Sequence, residues 1–205
     1  MNEKKILIPD TPKPGLFFLI HWTALTIAGY GVGFLTGFVL GHMGGHTVVG
    51  AVNGAVIAWL QFSLLRPWLR KPVSWVWVAV PGPALAGLTF DIAFHGFGQK
   101  LDFIPLIIAA GAITGLLQGF LLRRGRVWAI IYSIISAAAW PLSMYGFSQP
   151  LYRGAVLMVL LRNGILPGAT AGAILGGITG AALVLLLWFG KTGPETNIAP
   201  GGRAD

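Results

Sequence analysis

The sequence predicts an all-α integral membrane protein: six transmembrane helices in three hairpins, packed through glycine zippers, with both termini cytoplasmic. Three observations predict it. First, the 205 residues are 55% hydrophobic and only 10% charged, whereas soluble domains carry about a quarter charged residues. Second, six apolar stretches can be laid end to end, each near the roughly 20 residues that cross a bilayer core. Third, glycines recur every fourth residue at Gly29, Gly33, Gly37 and Gly41, at Gly111, Gly115 and Gly119, and at Gly164, Gly168, Gly172, Gly176 and Gly180. A shorter ladder, Gly50 and Gly54 followed by Ala58, lies between the first two. In water each glycine costs a helix about 1 kcal/mol relative to alanine. In lipid the same spacing opens a groove without side chains, into which another backbone packs closely.

The expected spans are 16–41, 47–66, 73–94, 104–122, 127–147 and 164–189. Residues 1–15 form a cytoplasmic N-terminal segment, 16–190 the transmembrane domain and 191–205 a disordered cytoplasmic tail. The first apolar stretch follows two lysines but carries no small-x-small cleavage site, so it reads as a retained span. The connections GHMGGH, RPWLRKP, FHGFGQKLD and RRGR are short. The fifth, residues 148–163, is itself apolar and suits a short helix lying in the interface.

Basic residues set the orientation. Lys4, Lys5 and Lys13 precede the first span. Arg66, Arg70 and Lys71 follow the second, Arg123, Arg124 and Arg126 the fourth, and Lys191 and Arg203 the sixth. Of 14 basic residues, only Lys100, Arg153 and Arg162 fall on the other side. The net charge of +8 is therefore a topology signal and not a nucleic-acid footprint. Trp68, Trp75, Trp77, Trp128 and Trp188 lie near the expected cytoplasmic ends, as headgroup-level anchors would. With no cysteine, disulfides and thiolate metal sites are excluded.

An internal repeat links the even spans. GAVIAWLQFSLLR at 54–66 and GAITGLLQGFLLR at 111–123 share Gly-Ala and Gln-x-x-Leu-Leu-Arg at a period of 57 residues. GAILGGITGAALV at 172–184 echoes the beginning, with Thr179 where the others have Gln61 and Gln118. Each copy ends a whole hairpin, so the repeats are parallel and suit a pseudo-three-fold bundle. The odd spans show little relation to one another.

Few side chains in the spans carry chemistry. Gln61 and Gln118 lie about 7–8 Å inside the basic interface, with His21 at similar depth. The simplest role for them is hydrogen bonding between helices, at about 1 kcal/mol each; the sharper one is a polar-ligand site, or ligation of a pigment or haem through His21. Asn53, midway along the second span, is a further candidate ligand contact. His42 and His46 are four residues apart, as are Asp91 and His95, which puts each pair on one helix side. Together these four are the one cluster with metal-ligand chemistry. Asp91 is also the sole carboxylate within a span, by default a candidate for ion coupling. Pro81, Pro83 and Pro141 should kink or break the third and fifth spans. No nucleophilic triad, phosphate-binding glycine motif, Gly-x-Ser-Gly or retinal-binding lysine is present, so an enzyme is not expected.

The run from glycine through Gln-x-x-Leu-Leu-Arg to a tryptophan, at Gly54, Gln61, Arg66 and Trp75 and again at Gly111, Gln118, Arg123 and Trp128, resembles a group of uncharacterised glycine-rich polytopic membrane proteins frequent in phototrophic bacteria. Their pattern is a repeated G-x-x-x-G-x-x-Q-x-x-x-L-R. Here Ala58 replaces the second glycine of the first copy. The resemblance implies a bacterial inner-membrane location and attachment to an energy-transducing assembly.

The leading expectation is a non-catalytic accessory or assembly subunit of a larger photosynthetic or respiratory membrane complex. Its partners would be the lipid bilayer and other membrane subunits, with no nucleic acid. Short loops, few ionisable groups and a surplus of glycine faces favour it. The alternative is a small-molecule transporter or its membrane substrate-binding subunit. A third reading is a pigment- or quinone-binding protein. Any cofactor stays open among pigment, haem and quinone.

Overall fold

The computed structural model describes residues 14–69, 72–92, 104–122, 126–144 and 160–189, with single positions at 155 and 158. Every regular element among them is helical. Six segments are long and apolar enough to cross a membrane: Leu16–Gly33, Gly45–Trp68, Val73–Ile92, Ile104–Leu121, Arg126–Ser143 and Leu166–Phe189. The chain is thus a multi-pass helical bundle. Residues 1–13 and 190–205, with the expected terminal segments, lie outside the described residues, as does most of the fifth connection.

The first two spans are limbs of one element, α1 (Leu16–Leu65), broken at Gly45, where φ is 70° and ψ is 176°. A side chain would be strained at that positive φ, so glycine supplies the turn. The expected six-residue connection GHMGGH is therefore helical up to Gly45, and one residue reverses the chain. The limbs then lie against each other. A Cβ on Gly29 would sit 2.6 Å from Ile57 Cγ1, and one on Gly33 would run into Asn53.

A 3-10 turn at Arg66–Trp68 leads to α2 (Pro72–Ala79) and α3 (Pro81–Ile92). These are halves of the third span, bent at Val80 before Pro81 as expected. Ala84 N–H still donates to Val80 O at 3.1 Å across the bend. The fourth and fifth spans are α4 (Ile104–Leu121) and α5 (Arg126–Ser143). Pro141 lies inside α5 without ending it, two residues before the last turn closes. A π-helical turn at Leu160–Ile165 enters α6 (Leu166–Phe189), the sixth span.

Contacts run from each span to the next, and α6 returns to the first limb of α1. Glycines make three of these seams close, at equivalent places. The missing Cβ of Gly54 faces Ala79 O, that of Gly111 faces Ser136 O, and that of Gly172 faces Thr26 O, at 2.8, 2.8 and 2.9 Å. These are corresponding positions of the three repeat copies, so the faint third copy packs as the first two do. The core divides by height. One cluster, including Phe18, Trp22, Leu65, Trp75, Leu122 and Leu186, lies toward the end carrying Arg66 and Arg126. The other, including Tyr30, Ile107, Trp140 and Leu175, lies toward the opposite end. At the first end the Trp188 indole donates to Pro14 O. Large apolar side chains such as Trp59, Trp77 and Ile134 point outward, as an apolar surround demands.

Trp75 departs from the sequence reading. Expected as an interfacial anchor, it is fully buried, while Trp77 is 72% exposed. The two lie two residues apart on opposite helix faces, and Trp75 takes the inner one.

Candidate binding chamber

Where the six spans meet lies a partly open cavity of about 50 Å³. All six contribute to its wall, and they do so by the repeat. In the even spans the lining pairs are Ile57 with Gln61, Thr114 with Gln118, and Leu175 with Thr179. The odd spans contribute three matched tiers four residues apart. An aromatic ring stands first on two of these spans (Trp22, Tyr132), a small residue second (Thr26, Ala79, Ser136), and a second ring third (Tyr30, Pro83, Trp140). Trp75, at the matching first position of the third span, is buried but does not line the cavity. From Trp22 to Tyr30 the lining extends about 12 Å along the helix, from the basic end toward the middle of the bundle. Neither Asp, Glu, Lys, Arg nor His is among the lining residues.

Hydrogen bonds cover part of this wall. Trp75 Nε1 donates to Gln61 Oε1 at 3.4 Å, and Gln61 Nε2 donates to Thr26 Oγ1 at 2.8 Å. The Thr26 hydroxyl in turn donates to Trp22 O at 2.7 Å. Trp22 Nε1 donates to Thr179 Oγ1 at 3.2 Å, and that hydroxyl donates to Leu175 O at 2.7 Å. The chain of bonds therefore runs through the third, second, first and sixth spans. Tyr132 of the fifth span also bonds the Thr179 side chain, so the chain leaves out the fourth span. There Gln118 is 8% exposed, lines the chamber, and makes no side-chain hydrogen bond to a described residue. Tyr132 and Ser136, both buried, complete that corner.

The remaining candidate residues are elsewhere. His21 is exposed on the outer face; its Nδ1 meets Phe17 O of its own helix at 2.9 Å, and its ring packs on Phe17. Asn53 lies at the seam of the two α1 limbs, against Gly33, with its buried Oδ1 unpartnered among the described residues. Asp91 and His46 do meet, at the far end of the bundle. Asp91 Oδ1 accepts from His46 N–H at 2.7 Å and from its ring Nδ1 at 2.9 Å; Oδ2 accepts from Thr47 N–H at 2.8 Å and Thr47 Oγ1 at 2.6 Å. The carboxylate thus caps the second limb just after the Gly45 turn, where the first N–H groups of a helix lack intrahelical partners. His95 and the His42 side chain lie outside the described residues, and no group of three potential metal ligands forms among those described.

The glycine ladders face inward wherever they can be followed. Gly29, Gly33, Gly111, Gly115, Gly119, Gly172, Gly176 and Gly180 each lie so close to another helix of this chain that a Cβ would collide with it. Gly168 is buried as well. Gly37 and Gly41 lie where side-chain packing is outside the described residues. The tiers contributed by the odd spans escaped the sequence reading. Their signal is present as W-x-x-x-T-x-x-x-Y, W-x-x-x-A-x-x-x-P and Y-x-x-x-S-x-x-x-W at 22, 75 and 132, which match in shape but not in identity.

The fold and chamber define a class: a helical bundle with six segments long and apolar enough to cross a membrane, around a small cavity without charged lining residues. No protein-family model, curated protein or solved structure matches the chain.

Proposed function

We propose that this chain is a non-catalytic protein of the bacterial inner membrane that binds a small solute in its central chamber, as a transporter or as the membrane binding subunit of one. Its six spans form three hairpins with both termini cytoplasmic. The observation that carries the reading is the chamber itself, an uncharged and mainly apolar interior with a few polar side chains, lined at repeat-related positions of all six spans. Gln118 lines the chamber and makes no side-chain hydrogen bond to a described residue, so its amide is the polar group the chamber presents to an occupant. About 50 Å³ has no room for a macrocycle or a quinone ring, and His21 faces away from it.

The accessory-subunit reading drew on a surplus of glycine faces. The ladder glycines that can be followed are used within the chain, so that reading keeps only its short loops and sparse charge. Asp91 makes four hydrogen bonds to His46 and Thr47 beside the Gly45 turn, which supports a structural role over ion coupling.

The test is tryptophan-fluorescence melting of the purified, detergent-solubilised protein against uncharged, anionic and cationic solutes at millimolar concentration. A ligand that binds the folded state alone raises the melting temperature by mass action. At least one uncharged solute should do so. If no solute of any charge class does, and native mass spectrometry finds the chain within a heavy assembly, the accessory-subunit reading replaces this one.

A further inference from the structure

The three corners of the chamber are not equivalent, and the difference bears on what the chamber holds. This inference rests on the solute-binding reading and names the chemical class of the solute.

At the first corner the Gln61 amide is engaged at both ends, by Trp75 and Thr26. At the third, Thr179 stands in the glutamine's place and is engaged by Trp22. At the second, the ring 14 residues beyond Gln118 is Tyr132 where Gln61 has Trp75, and the small residue is Ala79 where the first corner has Thr26. Alanine offers no hydroxyl, so the Gln118 NH₂ lacks the acceptor its counterpart enjoys. The amide stays open on both its donor and acceptor atoms inside a wall that buries more than nine-tenths of the residue. The Ser136 hydroxyl, able to donate and accept, lines the same chamber, while the Tyr132 hydroxyl is engaged with Thr179.

We propose that the Gln118 corner is the specificity-determining subsite of the chamber and that it takes an uncharged primary amide or a urea. A glutamine amide presents C=O and N–H side by side, and the group that satisfies both at once presents N–H and C=O in the opposite order, as primary amides and ureas do. A charged group finds no opposite charge in the lining, and moving an ion into such surroundings unpaired is costly. Size agrees. At about 10–15 Å³ per water-sized group, the chamber admits about three to five such groups, which suits a molecule of acetamide or urea dimensions.

The experiment uses three four-heavy-atom isosteres on the solubilised, full-length protein: acetamide, acetate and acetone. Acetamide donates and accepts, acetate is anionic, and acetone only accepts. Saturation-transfer NMR follows the methyl protons that each possesses. Acetamide should show a saturable signal, competed by urea, with acetate and acetone at least tenfold weaker. Gln118→Met, which keeps the length and removes the amide, should weaken acetamide at least tenfold. Equal or tighter binding of acetate or acetone by the unaltered protein overturns the amide class without needing any variant. Undiminished acetamide binding by a folded Gln118→Met protein overturns the subsite. No binding of any of the three overturns the proposal; if the melting panel then identifies another solute, the broader solute-binding reading survives alone.

Discussion

Two glutamines at the same place in a sequence repeat have different fates. Gln61 is tied into a chain of hydrogen bonds that links every span but the fourth, whereas Gln118, on that fourth span, makes no side-chain bond to a described residue. Their own helices are alike, and both residues are buried. The difference comes from the odd spans, which supply Trp75 and Thr26 to the first glutamine but Tyr132 and Ala79 to the second. A repeated residue thus fixes position, and its neighbours on the unrelated helices decide whether it holds the bundle together or is left free to meet a ligand.

The comparison breaks most severely if the repeats are not geometrically equivalent at all, and the seam glycines test that. Gly54→Val, Gly111→Val and Gly172→Val each push side-chain atoms into a neighbouring backbone carbonyl. Each should cost about 3 kcal/mol or more, at or beyond the upper end of ordinary overpacking. Gly177→Ala, where nothing lies within 4 Å, should change stability little or raise it by up to about 1 kcal/mol. Denaturant titration of the four variants checks this. A seam variant as stable as Gly177→Ala would mean its copy of the repeat does not pack as described.

Next in size is Asp91→Ala. It removes four hydrogen bonds to His46 and Thr47, and a lost cap typically costs about 0.5–2 kcal/mol. With a charged acceptor, the expected loss is about 2 kcal/mol, seen as faster amide exchange at His46 and Thr47. The chamber, about 12 Å back along the third span at Pro83, should keep its ligand. Loss of binding together with that exchange would tie the two ends of the bundle together.

Gln61→Leu comes third. It strips a donor from Thr26 and an acceptor from Trp75. Interhelical hydrogen bonds in membranes average about 0.6 kcal/mol and reach about 1.7, so a loss of about 1–2 kcal/mol is expected. Gln118→Leu should be neutral or stabilising, since it removes a buried amide that no described residue satisfies. Equal losses at the two sites would erase the distinction drawn between them.

What the sequence made legible follows from what repeats by identity. The spans and the positions of Gln61, Gln118 and Thr179 could be read because apolar stretches of spanning length stand out, and because glutamine is a scarce choice in an apolar helix and recurs here at one repeat position. The odd-span tiers could not, because Trp, Tyr and Pro fill the same kind of space while sharing no identity. Trp75 looked like an anchor because its distance along the chain from Arg70 and Lys71 says nothing of which face it occupies. The Asp91 cap was hidden for another reason. Its partners are 44 and 45 residues away in sequence, and the expected partner was the nearer His95 on its own helix.

The sharpest test adds what the second corner lacks. Ala79→Thr places a threonine on the third span where Thr26 stands on the first, four residues after a tryptophan in each case. Its hydroxyl can donate back to Trp75 O as Thr26 donates to Trp22 O, which leaves lone pairs for the Gln118 NH₂. Two added heavy atoms also narrow a chamber of about 50 Å³. The variant should gain about 0.6 kcal/mol, one average interhelical bond, and should lose acetamide binding because its donor site is taken. Stability and binding thus move in opposite directions at this one position. A variant that folds with lower stability and unchanged binding would show that the second corner is not a copy of the first with one hydroxyl missing.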